Sequence, residues 1–353
     1  MTKWKIADEY DRRAYEQILR ALSKEPNWAS RAGGRVGGAI GSIGRKVAAK
    51  VPPPATEATE RVIRMTLAGL RSLTIDPAFR SVSTKRILRT YERADSPVET
   101  LIGVSHLPLR TIDSVMPPLR WRYSVGVAVE GAGAGAAITG AELLASLGSV
   151  ASAGAAVAPG IGTVASAMAT DAATVLAASA RVVAHIGAYF GYDTRLPEEQ
   201  IFALSIINWA SASGEAAKNV AFHQLSQITQ ELARRAPWAQ LGEHAIVPIL
   251  DKMFVKLGFR LTKEKLGQVI PVLGIAVGAG INAQILYSTA TDAMLAYRLR
   301  HLIEKYHLDP EADKLWTDRP LGPDVVEDEV DMPKMLEAAS HGLNLPDCGL
   351  SGA

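Results

Sequence analysis

Residues 10–22, YDRRAYEQILRAL, set the fold class on a first reading. Tyr10, Ala14, Ile18 and Leu22 recur every four positions, with Tyr15 and Leu19 beside them, so the apolar residues share one stripe of a 3.6-residue helix. Pro26 ends that helix. Working outward, a second helical segment over residues 31–50 is halted by Val51-Pro52-Pro53-Pro54, and a third is expected over residues 56–73. Asp76-Pro77 and Ser96-Pro97-Val98-Glu99 both read as helix starts, an N-cap followed by proline, the second with an acid at the capping-box position. Pro117-Pro118 marks one more break. Nowhere does a run of alternating β-branched residues suggest a sheet. The expectation is an all-α, compact multi-helix domain.

The middle of the chain is unusual. Between Arg122 and Arg181 there is no basic residue, and Glu130, Glu142 and Asp171 are its only charges. Two uncharged runs, residues 143–170 and 266–291, exceed the roughly 20 residues that span a bilayer. Both are rich in small residues, which gain little on leaving water, and prolines or Asn282 interrupt them, so neither reads as an autonomous transmembrane helix. Their glycines stand at close helical spacing, with Gly131 and Gly135 in one cluster, Gly274 and Gly278 in another, and a zipper over residues 33–41. An interior glycine destabilises a helix by about 1 kcal/mol relative to alanine, so close helix–helix approach is the expected compensation. The expected form is a Gly/Ala-rich central hairpin turning at Pro159-Gly160.

Charge divides the 353 residues into three parts. Residues 1–122 hold 22 Lys and Arg against 12 Asp and Glu, residues 123–307 hold 13 of each, and residues 308–353 hold 3 against 11. These are read as a basic N-terminal helical region packing on the core, a neutral helical core, and an acidic Pro/Gly-rich tail. The tail is mostly irregular, because low hydrophobicity with high charge buries too little surface, but residues 332–341 can form one docking helix. Arg31, Arg35, Arg45, Lys46 and Lys50 make the zipper segment basic, as a surface-lying helix would be. Arg120-Trp121-Arg122-Tyr123 and Arg181, Tyr189 and Tyr192 bracket the hairpin like an interfacial belt. Both features point to an anionic membrane surface or a membrane protein complex as partner, with a hydrophobic ligand as a further one. No nucleic-acid-binding motif occurs, so no nucleic acid is expected. The first ten residues hold no apolar core for a secretory signal, and the expectation is a cytoplasmic protein at the inner face of the membrane.

Catalytic motifs fail one by one. The Gly-x-Gly-x-x-Ala patterns at Gly131 and Gly278 follow no strand, no phosphate-loop ending is present, and no Gly-x-Ser-x-Gly elbow occurs. Cys348 lies in the acidic tail, a poor place for a thiolate, and a single cysteine excludes a disulfide framework. No His-Glu-x-x-His occurs, so neither metal nor cofactor is expected; His185, within an apolar helix, reads as a hydrogen-bonded core histidine. The remaining candidates are the acids Glu130, Asp171 and Asp292, each alone among apolar neighbours. Converging carboxylates could share a raised pKa and act as acid and base, giving an ester- or lipid-processing hydrolase as the alternative to a binding protein.

Further residues carry a family likeness. The stretch Val129-Glu130-Gly131-Ala132-Gly133-Ala134-Gly135 resembles the EcsC family of bacterial proteins. So do Asp171 and Arg181-Val182-Val183-Ala184-His185-Ile186-Gly187, leading to Tyr189-Phe190-Gly191-Tyr192-Asp193 and Pro197-Glu198-Glu199. Leu257-Gly258-Phe259, Pro271-Val272-Leu273-Gly274, Gly278-Ala279-Gly280-Ile281-Asn282 and Ala296-Tyr297-Arg298 continue it, so the resemblance covers roughly residues 8–305. The family takes its name from a protein encoded with an ABC-type transporter. The resemblance therefore implies a cytoplasmic, membrane-associated role, and it transfers no catalytic residue.

Overall fold

The computed structural model describes residues 7–23, 53–123, 159–212, 215–233, 243–266, 274–308 and 332–340, and among these no strand occurs. The opening stripe forms α1 (Glu9–Ser23), with Ala14, Tyr15 and Ile18 buried. Next comes α2 (Pro53–Arg80), longer at both ends than its apolar period suggested. It begins on a proline, which suits the first turn, and continues through Asp76-Pro77 instead of stopping there. Two things carry it across the proline. Ile75, Ala78 and Phe79 prolong the buried face of Ile63, Leu67 and Leu70, and Arg71 pairs with both Asp76 (3.3 Å) and Asp251 (3.0 Å).

Three short helices follow: α3 (Thr84–Arg93), α4 (Leu101–Ser105) and α5 (Leu109–Val115). Ser83 caps α3 by accepting from the Arg86 amide. The expected start at Ser96 is displaced: residues 96–100 are non-helical, and Thr100 caps α4 by accepting from the Gly103 amide at 3.2 Å. Ser96 is used otherwise, its amide closing α3 on the Tyr91 carbonyl at 3.0 Å. After Pro117-Pro118 the chain turns helical again over residues 119–123.

The core is built around α6 (Pro159–Tyr189), which begins at the predicted turn and packs on α2, α7 (Pro197–Ser211), α9 (Glu243–Leu266) and α10 (Gly274–Tyr306). The other arm of the predicted hairpin, the zipper segment 31–50 and most of the tail lie outside the described residues. Ala169–Tyr189 is long and apolar enough to cross a membrane, at a mean hydropathy of 1.3, yet 72% of that window is buried inside the fold. Its alanines at 169, 172, 173, 180, 184 and 188 are all buried and let neighbouring helices come close. Finally, α8 (Glu215–Ala233) packs on α7, and α11 (Met332–Ser340) rests on α8 and α9 with Leu336 buried, as the docking-helix reading expected.

Three glycines of the family-like stretches make the tight contacts. A Cβ on Gly187 would meet the Tyr297 ring at 2.6 Å, and one on Gly258 would meet Leu67 at 2.6 Å. Gly191, at φ +93°, turns the chain out of α6, and a Cβ there would lie 2.6 Å from the Leu101 carbonyl oxygen. The following residues complete the turn. Asp193 accepts from the Arg195 amide (3.0 Å), and the Tyr192 hydroxyl donates to Glu304 (3.0 Å).

Candidate functional site

Arg298, Arg300 and Lys305 of α10 are paired with carboxylates inside the bundle. Arg300 donates to both Glu199 oxygens at 2.7 Å and to Glu304 at 2.7 Å, and its guanidinium lies 4.0 Å from the centre of the Tyr192 ring. Burial works against its charge, but Glu199, Tyr192 and Glu304 outweigh that and hold its proton more firmly than usual. Arg298 pairs with Asp113, which also accepts from Tyr10, and Lys305 (2.8 Å) and Tyr306 (2.7 Å) both reach Asp11. These bonds fasten α1 to α5 and α10. They are structural clamps.

A second charged region is different. The segment after Pro117-Pro118 presents Arg120, Trp121 and Arg122 to solvent, Trp121 at 58% exposure with its ring edge on Tyr287. Tyr123 turns inward, and its hydroxyl lies 3.0 Å from His185 Nδ1 on α6. Arg181 stands one turn before His185 on the same helix and is exposed. The His185 ring sits edge-on to Tyr123 (5.9 Å) and stacks on Tyr189 (5.5 Å). Desolvation first, then the fields of Arg181, Arg122 and Arg86, lower its pKa to about 4, so the imidazole is neutral at neutral pH.

Arg86 comes from α3, whose Ile87 and Tyr91 are buried and whose Tyr91 hydroxyl donates to the Tyr189 carbonyl at 2.6 Å. The outer face of α3 exposes Lys85, Arg86, Arg89 and Arg93 against Glu92 alone. Among the described residues no carboxylate pairs with Arg86, Arg122 or Arg181. Sequence reading found Arg120, Trp121, Arg122 and Arg181 but passed over α3. Its signal was present: Ile87 and Tyr91, four apart, mark a one-sided helix with four cations in ten residues.

Asp171 and Asp292, the candidate acids among the described residues, do not assemble. Asp171 is exposed, not buried, and accepts from Asn282 at 3.3 Å. Asp292 lies ten residues beyond Asn282 on α10, about 15 Å along the helix at 1.5 Å per residue. Its side chain is 15% exposed, and Lys218 at 3.8 Å is its ion-pair partner. Burial raises its pKa to about 6 despite that lysine. Glu130, Gly131, Gly135, Arg31, Arg35, Arg45, Lys46 and Lys50 lie outside the described residues. Gly274 and Gly278 fall in the first turns of α10. A crevice lined by Leu22, Trp209, Phe222, Leu225, Leu295 and Leu299 has room for about one water. Among the described residues no group of three His, Cys, Asp or Glu is placed to hold a metal.

Residues 11–302 match the family described as the EcsC protein family, a span that includes the bundle core and the basic face. The chain belongs to the EcsC protein family. A relative is an uncharacterized protein, YdbA, of Bacillus subtilis (strain 168), 26% identical over 141 residues, which is 39% of this chain and 48% of that protein. The match thus spans about half the length of that relative. No solved structure matches the chain. Membership assigns no chemistry to the basic face.

Proposed function

We propose that this EcsC protein is a non-enzymatic, membrane-peripheral helical protein that binds an anionic surface at the inner face of the cell membrane. The supporting observation is the exposed Trp121 between Arg120 and Arg122, in a segment whose Tyr123 bonds His185 of α6, together with the exposed cations of α3. An aromatic ring at headgroup depth and surrounding cations are what an anionic interface retains. Each cation near such a surface contributes about 1 kcal/mol, and salt screens it within a Debye length. The apolar helix α6 serves the core, so binding needs no helix to leave the bundle. The basic segment at 31–50 adds to the same reading through its sequence.

Flotation of the purified chain with liposomes tests this. Binding to vesicles containing acidic lipid is expected at low salt and should fall steeply as salt rises. Replacing Trp121 by Ala together with Arg120 and Arg122 by Gln should weaken it at least about tenfold. A chain that ignores acidic vesicles even at low salt refutes the proposal.

A further inference from the structure

We propose that the outer face of α2 is a self-association surface, on which a second copy of this chain lies antiparallel about a two-fold axis at Gly69. The inference stands apart from the surface-binding reading. Met65 (44% exposed) and Leu73 (50% exposed) flank Gly69 four residues to either side, so all three share one face of the helix. Ala68 and Ser72 beside them are exposed and small. Val247 of α9 is exposed too, one turn before Asp251, which pairs with Arg71 of α2 at 3.0 Å. Met65, Leu73 and Val247 are three of the six large apolar side chains exposed among the described residues. Arg64 and Arg71 are the only charges over residues 62–75, and both turn toward α9, one onto the Phe259 ring at 4.0 Å and the other onto Asp251. Gly69 is the decisive residue. A Cβ built there meets nothing within 4 Å, whereas one on Gly187 or Gly258 would strike Tyr297 or Leu67. An interior glycine weakens a helix relative to alanine, and nothing in the described fold takes up the space that this one leaves. Bare backbone midway along an apolar face lets another helix approach closely.

The order of charge along α2 selects the occupant. Toward its N-terminus the helix carries Glu57 and Arg61, toward its C-terminus Asp76 and Arg80. Asp76 meets Arg71 of its own chain at 3.3 Å; Glu57, Arg61 and Arg80 are exposed and have no ion-pair partner among the described residues. With Gly69 set on Gly69 and the helices antiparallel, Met65 meets Leu73 of the second copy, Arg61 comes beside Asp76, and Glu57 comes beside Arg80. Two-fold symmetry makes every one of these contacts twice. A parallel arrangement would set each charge against its like. An anionic lipid surface is disfavoured as occupant, because two carboxylates would be pressed onto it along with the two arginines. The apolar centre supplies the attraction, and the rim charges fix direction and register more than affinity. So few apolar side chains make a small contact, which predicts a reversible dimer in the micromolar range and not an obligate one.

Sedimentation of the full chain from about 1 to 100 µM tests this, with the melting temperature recorded for every variant. The parent should pass from one chain to two across that range. Gly69→Glu should stay monomeric throughout and melt no lower than the parent, since the space is open and glutamate suits a helix better than glycine. Glu57→Arg and Arg80→Glu should each weaken the dimer at least about fivefold. Mixed in equal amounts, these two single variants should pair as tightly as the parent, because every opposed pair is again of unlike sign. A parent that stays monomeric at about 100 µM overturns the inference. So does a Gly69→Glu variant that dimerises like the parent, and a mixture no tighter than either variant alone overturns the antiparallel order. A Gly69→Glu variant that melts lower would mean that the fold itself fills the space, which removes the argument from Gly69. A monomeric parent that still floats with acidic vesicles overturns the dimer alone; a dimeric parent that ignores them overturns the surface reading alone.

Discussion

Arg300 and Arg122 carry the same side chain in opposite settings. Arg300 is enclosed by Glu199, Glu304, Tyr192 and Phe202, and every direction of its guanidinium is answered. Arg122 stands in solvent with no carboxylate partner among the described residues. Paired charge in the core orients helices, since a bidentate guanidinium accepts only one arrangement of α7 and α10. An exposed charge without a partner adds little to folding. The comparison separates what holds the fold from what the proposed function draws on.

The largest expected effect breaks the core side of that comparison. Glu199→Gln keeps the shape of the side chain and leaves Arg300 buried with one carboxylate fewer. Removing one member of a buried pair typically destabilises by about 3–5 kcal/mol, so a loss near the lower end is expected, with Glu304 still in place. Chemical denaturation at neutral pH measures it. A loss under about 1 kcal/mol would show that the network is dispensable and that aromatic packing alone seats Arg300.

Periodicity made some of this legible and spatial convergence hid the rest. The stripe of α1, the docking helix α11 and the start of α6 at Pro159 all follow from local rules, and each stands where those rules put it. Asp76-Pro77 misled because a single missing donor is outweighed by the buried face of α2 on both sides of it. Clusters of glycine drew attention to residues 131–140 and 274–280, whereas Gly187 and Gly258 stand singly in their helices and are the ones that touch Tyr297 and Leu67. No local pattern marks them beyond their place in the family-like stretches. The exposed cations are still less legible as a set: Arg86, Arg122 and Arg181 lie 36 and 59 positions apart, on α3, the 119–123 segment and α6.

Asp292 lies between the two extremes, and its effect should be intermediate. Its pKa is raised from the ordinary value of 3.8 to about 6, chiefly by desolvation, so the folded chain holds this proton more tightly than the unfolded chain. Between about pH 4 and pH 6 the unfolded state has released the proton and the folded state has not. Stability from this group is therefore fully present below pH 4, falls through that window, and stays low above it. Two units correspond to at most about 3 kcal/mol, and loss of the Lys218 pair reduces what a substitution can recover. Asp292→Asn should match the parent near pH 4 and be more stable by about 1 kcal/mol at pH 7.5. Thermal melts across that range would read the difference; an Asn variant weaker at pH 7.5 would mean that the lysine pair outweighs burial.

The smallest effect sharpens the surface side. Exchanging Arg86, Arg122 and Arg181 together for Gln removes three like charges that have no carboxylate partner among the described residues. Surface changes of this kind usually stay within about 0.5 kcal/mol. Stability should thus be unchanged or slightly raised, and any gain should shrink at high salt because the repulsion is screened. The field on His185 weakens in the variant, so the imidazole pKa, read by NMR titration of its ring protons, should rise from its value of about 4. A loss above about 1.5 kcal/mol would make these arginines part of the scaffold, held by contacts of the Arg300 kind, and the contrast between paired core and cationic face would vanish.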